Sequence, residues 1–378
     1  MKNIKHNLST IKYGDLKVAI VHDWLVGGGA ELVVEQLHKL YPDAPIFTSY
    51  ATSEWRDRLD GKVKTGWLQP LGKIRKFIPF LRIIWFTSLK FDGYDLVISS
   101  SGAEAKGIKV PDGTIHINYC HAPTHYYWSR YGEYMKRPGF PRGLNWLARL
   151  ALFLLVAPLR AWDFRAAQRP DHIVANSTHI ANEIKKYYDR DASVIFPPIY
   201  MERFQKHKNT KLKRHGFLIS GRQTPYKRFD LAVQACTELS LPLVVIGDGP
   251  DNARLRKLAG STVTFLGRVS DEVLEEEFAS AEALIFPGLD DFGITPVEAM
   301  ASGTPVIAYQ AGGALDYVVP SKTGEFFDKP TANSLAEALK GFDPKRYSHP
   351  AIAVFAHKFS AEDFRSNFSN YVRKTLQY

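Results

Sequence analysis

Twice along this chain a short, β-branched apolar run leads into a glycine turn and then a helical pattern, and that repetition leaves few folds open. In the first half, Lys17 to His22 (KVAIVH) precedes Gly27-Gly28-Gly29 and the helical stretch Glu31 to Leu40. In the second, Gly216 to Ser220 (GFLIS) precedes Gly221, a polar turn and the helical segment Phe229 to Glu238. Further apolar runs follow in each half: Leu96 to Ser99, Thr114 to Tyr119 and His172 to Ala175, then Leu243 to Ile246, Thr262 to Leu266, Ala283 to Phe286 and Pro305 to Ala308. Helical stretches separate most of them. Continuous apolar strands alternating with helices form parallel sheets covered on both faces. The expected fold class is α/β with two doubly wound domains. The boundary is expected near Pro197-Pro198, where proline stops a strand, and the polar stretch Glu202 to Arg214 reads as a linker.

A length of 378 residues suits two domains and buries a large core without staples. The two cysteines, Cys120 and Cys236, are far apart, which excludes a disulfide framework and disfavours a cysteine zinc site. So few cysteines fit a reducing compartment. The N-terminus is basic but has no apolar h-region, so no signal peptide is expected. The longest uninterrupted apolar run, Leu150 to Leu159, has ten residues. A spanning helix needs about 20, so the protein is expected to be soluble or to lie on a membrane.

The net charge of +10 is lopsided. Residues 1–200 carry 27 Lys and Arg against 18 Asp and Glu, and residues 201–378 carry 22 against 21. The basic half calls for an anionic partner: nucleic acid, anionic lipid or a phosphorylated substrate. Two stretches account for much of it, Lys73 to Lys90 (KIRKFIPFLRIIWFTSLK) and Arg142 to Arg165 (RGLNWLARLALFLLVAPLRAWDFR). Basic residues mixed with Trp, Phe, Leu and Ile suit helices in a membrane interface, with core helices bearing basic ends as the alternative. Nucleic acid is disfavoured, because no RNP-like motif accompanies the basic residues.

Four segments could carry chemistry. Phe286 to Ala308 (FPGLDDFGITPVEAMASGTPVIA) reads as a strand end, a loop with Asp290, and a helix opened by Thr295-Pro296. The N–H groups of Ile294 and Thr295 at that helix start suit an anion. An ordinary strand–loop–helix with a capping acid would read the same way. Ser220 to Asp230 (SGRQTPYKRFD) places Arg222 and Lys227 directly after a strand, a pair suited to a pyrophosphate or to a solvated basic turn. Trp24 to Glu31 (WLVGGGAE) lets backbone approach a phosphate or sugar, or is simply a tight turn; Leu32 breaks the GxGxxG fingerprint. Tyr119 to Tyr127 (YCHAPTHYY) puts His121 after a strand, with Tyr126, Tyr127 and Trp128 as candidates to stack on a sugar. The D-x-D at Asp189-Arg190-Asp191 precedes a strand and reads as a surface loop. HExxH, EF-hand, GxSxG and P-loop patterns are absent from the sequence.

Together these segments resemble the retaining glycosyltransferases of family 4. SGR-x4-KR, DFGITPVEAMASGTPVIA and AGGALDYV (311–318) resemble that family's C-terminal half; WLVGGGAE, YCHAPTHYYW, LRAWDFRAAQRPDHIVANS and VIFPP resemble its N-terminal half. The wording is most similar to bacterial O-antigen-type mannosyltransferases, over roughly residues 17–340. The resemblance implies the GT-B architecture, two Rossmann-like domains facing a central cleft. It implies an N-terminal acceptor and membrane-facing domain over 1–200, a nucleotide-sugar domain over 201–357, and a C-terminal helix (about 358–378) packing back on the first.

Carried over residue by residue, the resemblance assigns Arg222 and Lys227 to the donor diphosphate and Glu298 to the ribose. Asp290, where glutamate is usual, falls to the transferred sugar. Ile294 and Thr295 would offer backbone donors to the phosphates, Gly28 and Gly29 would face phosphate and acceptor, and Arg268 and Val269 would lie beside the base. His121 matches a histidine by the donor sugar. With Arg222, Lys227 and the helix start stabilising the leaving diphosphate, no metal or other cofactor is implied. The leaving phosphate itself would take the acceptor's proton and retain configuration. The implied protein is a cytoplasmic hexosyltransferase, peripheral on the inner face of the membrane. It would move mannose, from GDP-mannose rather than a UDP-sugar, to a lipid-linked saccharide acceptor at an anionic surface in polysaccharide biosynthesis. A soluble enzyme acting on a free or phosphorylated sugar, and a non-catalytic nucleotide-sugar-binding module, remain as alternatives.

Overall fold

The structure is a computed structural model that describes residues 15–72, 79–136, 142–207 and 213–376. The chain forms two compact units, Met1–Pro197 with Phe364–Tyr378, and Pro198–Asp363.

The first unit is built on seven parallel strands: β1 (Val18–His22), β2 (Ile46–Thr48), β3 (Val63–Lys64), β4 (Leu96–Ser101), β5 (Ile115–Cys120), β6 (His172–Ala175) and β7 (Ser193–Val194), in the order β3-β2-β1-β4-β5-β6-β7. All residues of β1 and β4 are buried, as central strands covered on both faces must be. The chain steps outward from β1 to β3, then returns to the other side of β1 to add β4. The sheet therefore has its topological switch point between β1 and β4. Its helices are α1 (Gly29–Leu40), α2 (Ser53–Arg58), α3 (Pro79–Ser88), α4 (Tyr131–Lys136), α5 (Asn145–Ala167) and α6 (Thr178–Tyr188). One face of the sheet packs Val33, Val34 and Leu37 of α1 with Ile98 and Ile117. The other packs Trp85 and Phe86 of α3 with Val97. Ser177 starts α6 by accepting from the Ile180 N–H at 3.0 Å.

The second unit repeats the plan with six parallel strands: β8 (Phe217–Ser220), β9 (Leu243–Ile246), β10 (Val263–Gly267), β11 (Ala283–Phe286), β12 (Val306–Tyr309) and β13 (Gly324–Phe327), in the order β10-β9-β8-β11-β12-β13. Its switch point lies between β8 and β11. The helices are α7 (Phe229–Glu238), α8 (Asn252–Leu258), α9 (Asp271–Ser280), α10 (Ile294–Ala301), α11 (Ala332–Gly341) and α12 (His349–Ala356). The last helix, α13 (Ala361–Thr375), places Phe364, Phe368 and Val372 in the first unit's core, with Tyr119 edge-on to Phe364 at 5.8 Å.

Three sequence readings need correction. The strands β2, β3 and β13 are additional to those expected; β2 and β3 have three and two residues, too few to show a pattern. The supposed linker begins as a 3-10 helix, Met201–His207, that buries Phe204. The stretch Lys73 to Lys90 is not an interfacial helix throughout. Its residues 73–78, with Lys73, Arg75 and Lys76, lie outside the described residues, and α3 buries Arg82, Trp85 and Phe86. Arg82 is drawn inward because Glu104 waits there, 2.7 Å away.

Candidate active site

At the second unit's switch point the loops after β8 and β11 converge. Arg222 stands exposed two residues beyond β8, and Lys227 closes the 3-10 turn Pro225–Lys227. Lys227 Nζ lies 3.1 Å from Asp290 Oδ2, joining a cation and an acid 63 residues apart. Gly288 permits this approach: a Cβ there would stand 2.9 Å from the Lys227 Cα. Gly312, at φ +68°, is equally required, because its Cβ would meet the Asp290 carbonyl oxygen at 2.6 Å. The neighbouring Gly313 N–H donates to that oxygen at 3.0 Å.

From the same loop α10 begins, with Gly293 before it at φ +88°. Ile294 and Thr295 open the helix, so their N–H groups have no acceptor within it. A lysine held at the loop that opens a helix is an arrangement that receives an anion. Glu298 sits one turn further along, half-buried. Burial pushes its carboxyl up to about 7, Arg203 opposes the rise, and Asp271 and Glu275 add to it. Arg203 in turn pairs with Asp271 at 3.0 Å and Glu275 at 3.1 Å. No local sequence pattern marks this acidic group, because its members come from separate segments. Arg268, exposed, and Val269, half-buried, follow the edge strand β10.

In the first unit the loops after β1, β4 and β5 meet. Glu31 accepts from the N–H groups of Val26 at 3.2 Å and Gly27 at 3.0 Å, which pins the turn carrying Gly28 and Gly29. The Asp23 carboxylate accepts from the N–H groups of Gly102, Ala103 and Ala105 at 2.8–2.9 Å and so fixes the loop after β4. His121 follows β5, with Nε2 2.7 Å from Ser100 Oγ and its carbonyl accepting from Asn176 Nδ2 at 2.9 Å.

The neighbouring aromatics do something other than expected. Tyr127 is fully buried, and Tyr126 donates its hydroxyl to Glu104 at 3.1 Å. Trp128 stacks on Tyr187 and donates to Asp163 at 2.7 Å. Packing and buried acids therefore hold these rings, rather than a sugar face. Asp163 also accepts from Lys106 at 2.6 Å, Thr124 at 2.8 Å and Tyr188 at 2.7 Å. The only sequence signal for this hub was an acid inside an apolar helix. On the other side of α5, Trp146 and Phe153 are 65% and 63% exposed, with Leu150 and Leu154 on the same face. Among the described residues no helix is long and apolar enough to cross a membrane. Asp189 and Asp191 are exposed and share Lys185 at 3.4 and 3.3 Å, as a surface loop would.

A protein-family model described as glycosyl transferases group 1 matches residues 200–342, so the second unit is a group 1 glycosyl transferase domain. The fold of the chain is the GT-B glycosyltransferase fold. Solved structures of HepE from Anabaena with UDP (16% identical, TM-score 0.67, 95% of this chain and 100% of that one) and of sucrose-phosphate synthase from Thermosynechococcus elongatus (18%, 0.68, 96% and 99%) share it. A GDP-mannose-dependent alpha-mannosyltransferase of Mycolicibacterium smegmatis is 41% identical over 115 residues, 30% of each chain. The alpha-1,3/1,6-mannosyltransferase alg2 of Schizosaccharomyces pombe is 24% identical over 85% of this chain and 72% of its own. The chain spans less than a third of the first of these relatives and nearly three quarters of the second.

Proposed function

We propose that this protein is a metal-independent, retaining mannosyltransferase. It moves mannose from a nucleotide-diphosphate sugar, GDP-mannose in preference to a UDP-sugar, to a lipid-linked saccharide. The observation that carries this reading is the meeting of Lys227 and Asp290 at the β8–β11 switch point, at the loop that opens α10, with Arg222 exposed on the loop after β8. Breaking the bond between sugar and diphosphate leaves negative charge on the phosphate and positive charge on the sugar ring. Lys227, Arg222 and the helix start stabilise the first as it develops. Asp290 is released from Lys227 as the diphosphate takes its place, and then faces the sugar. Glu298 receives the ribose hydroxyls. Similarity to mannosyltransferases, one of them named for GDP-mannose, supports the donor.

The lipid-linked acceptor is supported by α5. Trp146, Leu150, Phe153 and Leu154 form one exposed apolar face, and Arg149 and Arg165 are exposed on the same helix. Such a helix lies in the interface of an anionic membrane, here the cytoplasmic leaflet. Trp85 and Phe86, being core residues, take no part.

The test is a thermal-shift screen of nucleotide sugars followed by transfer assays on lipid-linked saccharides, with and without EDTA. A ligand at 100 times its Kd adds about 2.7 kcal/mol of stability. Stabilisation by GDP-mannose with EDTA-resistant, configuration-retaining transfer is expected. Stabilisation without turnover would leave a binding module, and activity restored only by a divalent cation would overturn the metal-free mechanism.

A further inference from the structure

His22, Ser100 and His121 lie in a line across the first unit's switch point. His22 ends β1, and Ser100 stands opposite it in the β1–β4 register. His121 follows β5, its N–H donating to the Ser101 carbonyl at 2.9 Å. His22 and Ser100 are buried. Giving every buried donor an acceptor sets the direction of the bonds between them. The Ser100 carbonyl can only accept, and it lies 2.8 Å from His22 Nδ1, so His22 carries a proton on Nδ1. That N–H also faces Ser100 Oγ at 3.2 Å, where the hydroxyl offers a lone pair. The hydroxyl's own proton then goes to the remaining partner, His121 Nε2, 2.7 Å away. A ring whose Nε2 accepts keeps its proton on Nδ1. The ring is also held edge-on by Tyr119 at 5.3 Å and His22 at 6.1 Å.

We infer that His22 and Ser100 are positioning residues that fix the tautomer and orientation of His121. They keep its proton on Nδ1 and withdraw Nε2 from service as a base at the carboxyl edge of the first sheet. The inference deepens the transferase reading and rests on it for its kinetic arm alone: His121 Nε2, held by Ser100, does not take the acceptor's proton.

The test uses the full chain labelled with ¹⁵N-histidine and variants Ser100→Ala, His22→Leu and His22→Asn, with His121→Gln to assign the His121 signals. Two-bond ¹H–¹⁵N correlations report the tautomer without any substrate. The parent is expected to show His121 protonated on Nδ1. Ser100→Ala and His22→Leu should redistribute that proton, whereas His22→Asn, whose amide can still donate to the Ser100 carbonyl, should keep it. In transfer assays, Ser100→Ala should lower kcat about tenfold or more while donor KM stays within about twofold, since misplacing a reacting group costs up to about a hundredfold. An Nε2-protonated His121 in the parent would overturn the proposal. So would a Ser100→Ala protein with an unchanged tautomer, whatever its melting temperature. A parent that transfers no sugar but shows the Nδ1 tautomer and its loss in Ser100→Ala sinks the transferase reading and leaves the positioning role standing.

Discussion

Replacing Glu298 with glutamine should have opposite effects on the free protein and on its nucleotide complex. The carboxyl is pushed up to about 7 by burial, with Arg203 opposing and Asp271 and Glu275 reinforcing. An acid whose folded value lies above its unfolded value of 4.5 is held protonated by the fold. This group's penalty is absent below the unfolded value, grows as pH rises from there to about 7, and is complete above that. Glutamine never ionises, so Glu298→Gln should raise the melting temperature of the ligand-free protein at pH 8 and change it little at pH 5. Ribose hydroxyls donate best to the ionised carboxylate. About nine tenths of Glu298 is ionised at pH 8 and about one tenth at pH 6, so its contribution to nucleotide affinity should fall about tenfold between them. Losing a hydrogen bond to a charged group costs about 1.5–3 kcal/mol, so the variant should bind GDP more weakly at pH 8. Calorimetric titration of GDP and UDP at pH 6, 7 and 8 reads the effect. The nucleotide's own titration is common to both proteins, so the ratio of their affinities is the measurement. A ratio constant from pH 6 to 8 would refute the reasoning.

Lys227→Met should cost about 1.5–3 kcal/mol in nucleoside-diphosphate binding, whereas Asp290→Asn, which frees Lys227, should bind at least as well as the parent and lose turnover; calorimetry and a transfer assay separate the two. Asp163→Asn leaves Lys106 buried without its counter-charge and should cost about 3–5 kcal/mol in denaturant unfolding, much of it recovered by adding Lys106→Met. If the double variant is as unstable as the single, the buried pair is not the cause. Trp146→Asp with Phe153→Asp should abolish co-sedimentation with anionic liposomes, and Trp85→Phe should leave it unchanged. Parent binding should fall with salt, because each basic residue near the surface contributes about 1 kcal/mol that salt screens.

The strands β6, β9 and β11 and the helix α7 were legible in the sequence to the residue, because buried strands declare themselves as apolar runs and turns as glycine. Such signals are local, and they also located Arg222, Lys227, Asp290 and the start of α10 at strand ends. What the sequence could not show was which strand ends are neighbours. Only the sheet order sets β8 beside β11, and only then do Lys227 and Asp290 form a pair. The same limit hid Arg82 and Asp163. Each is a charge in an apolar helix, and composition alone reads such a helix as interfacial. Their partners, Glu104 and Lys106, come from a loop that packing brings alongside, and a charge enters a core only where its counter-charge already stands. Hydrophobic pattern, acting over a few residues, determined the elements; pairing across the sheets, acting over scores of residues, decided which groups became a site.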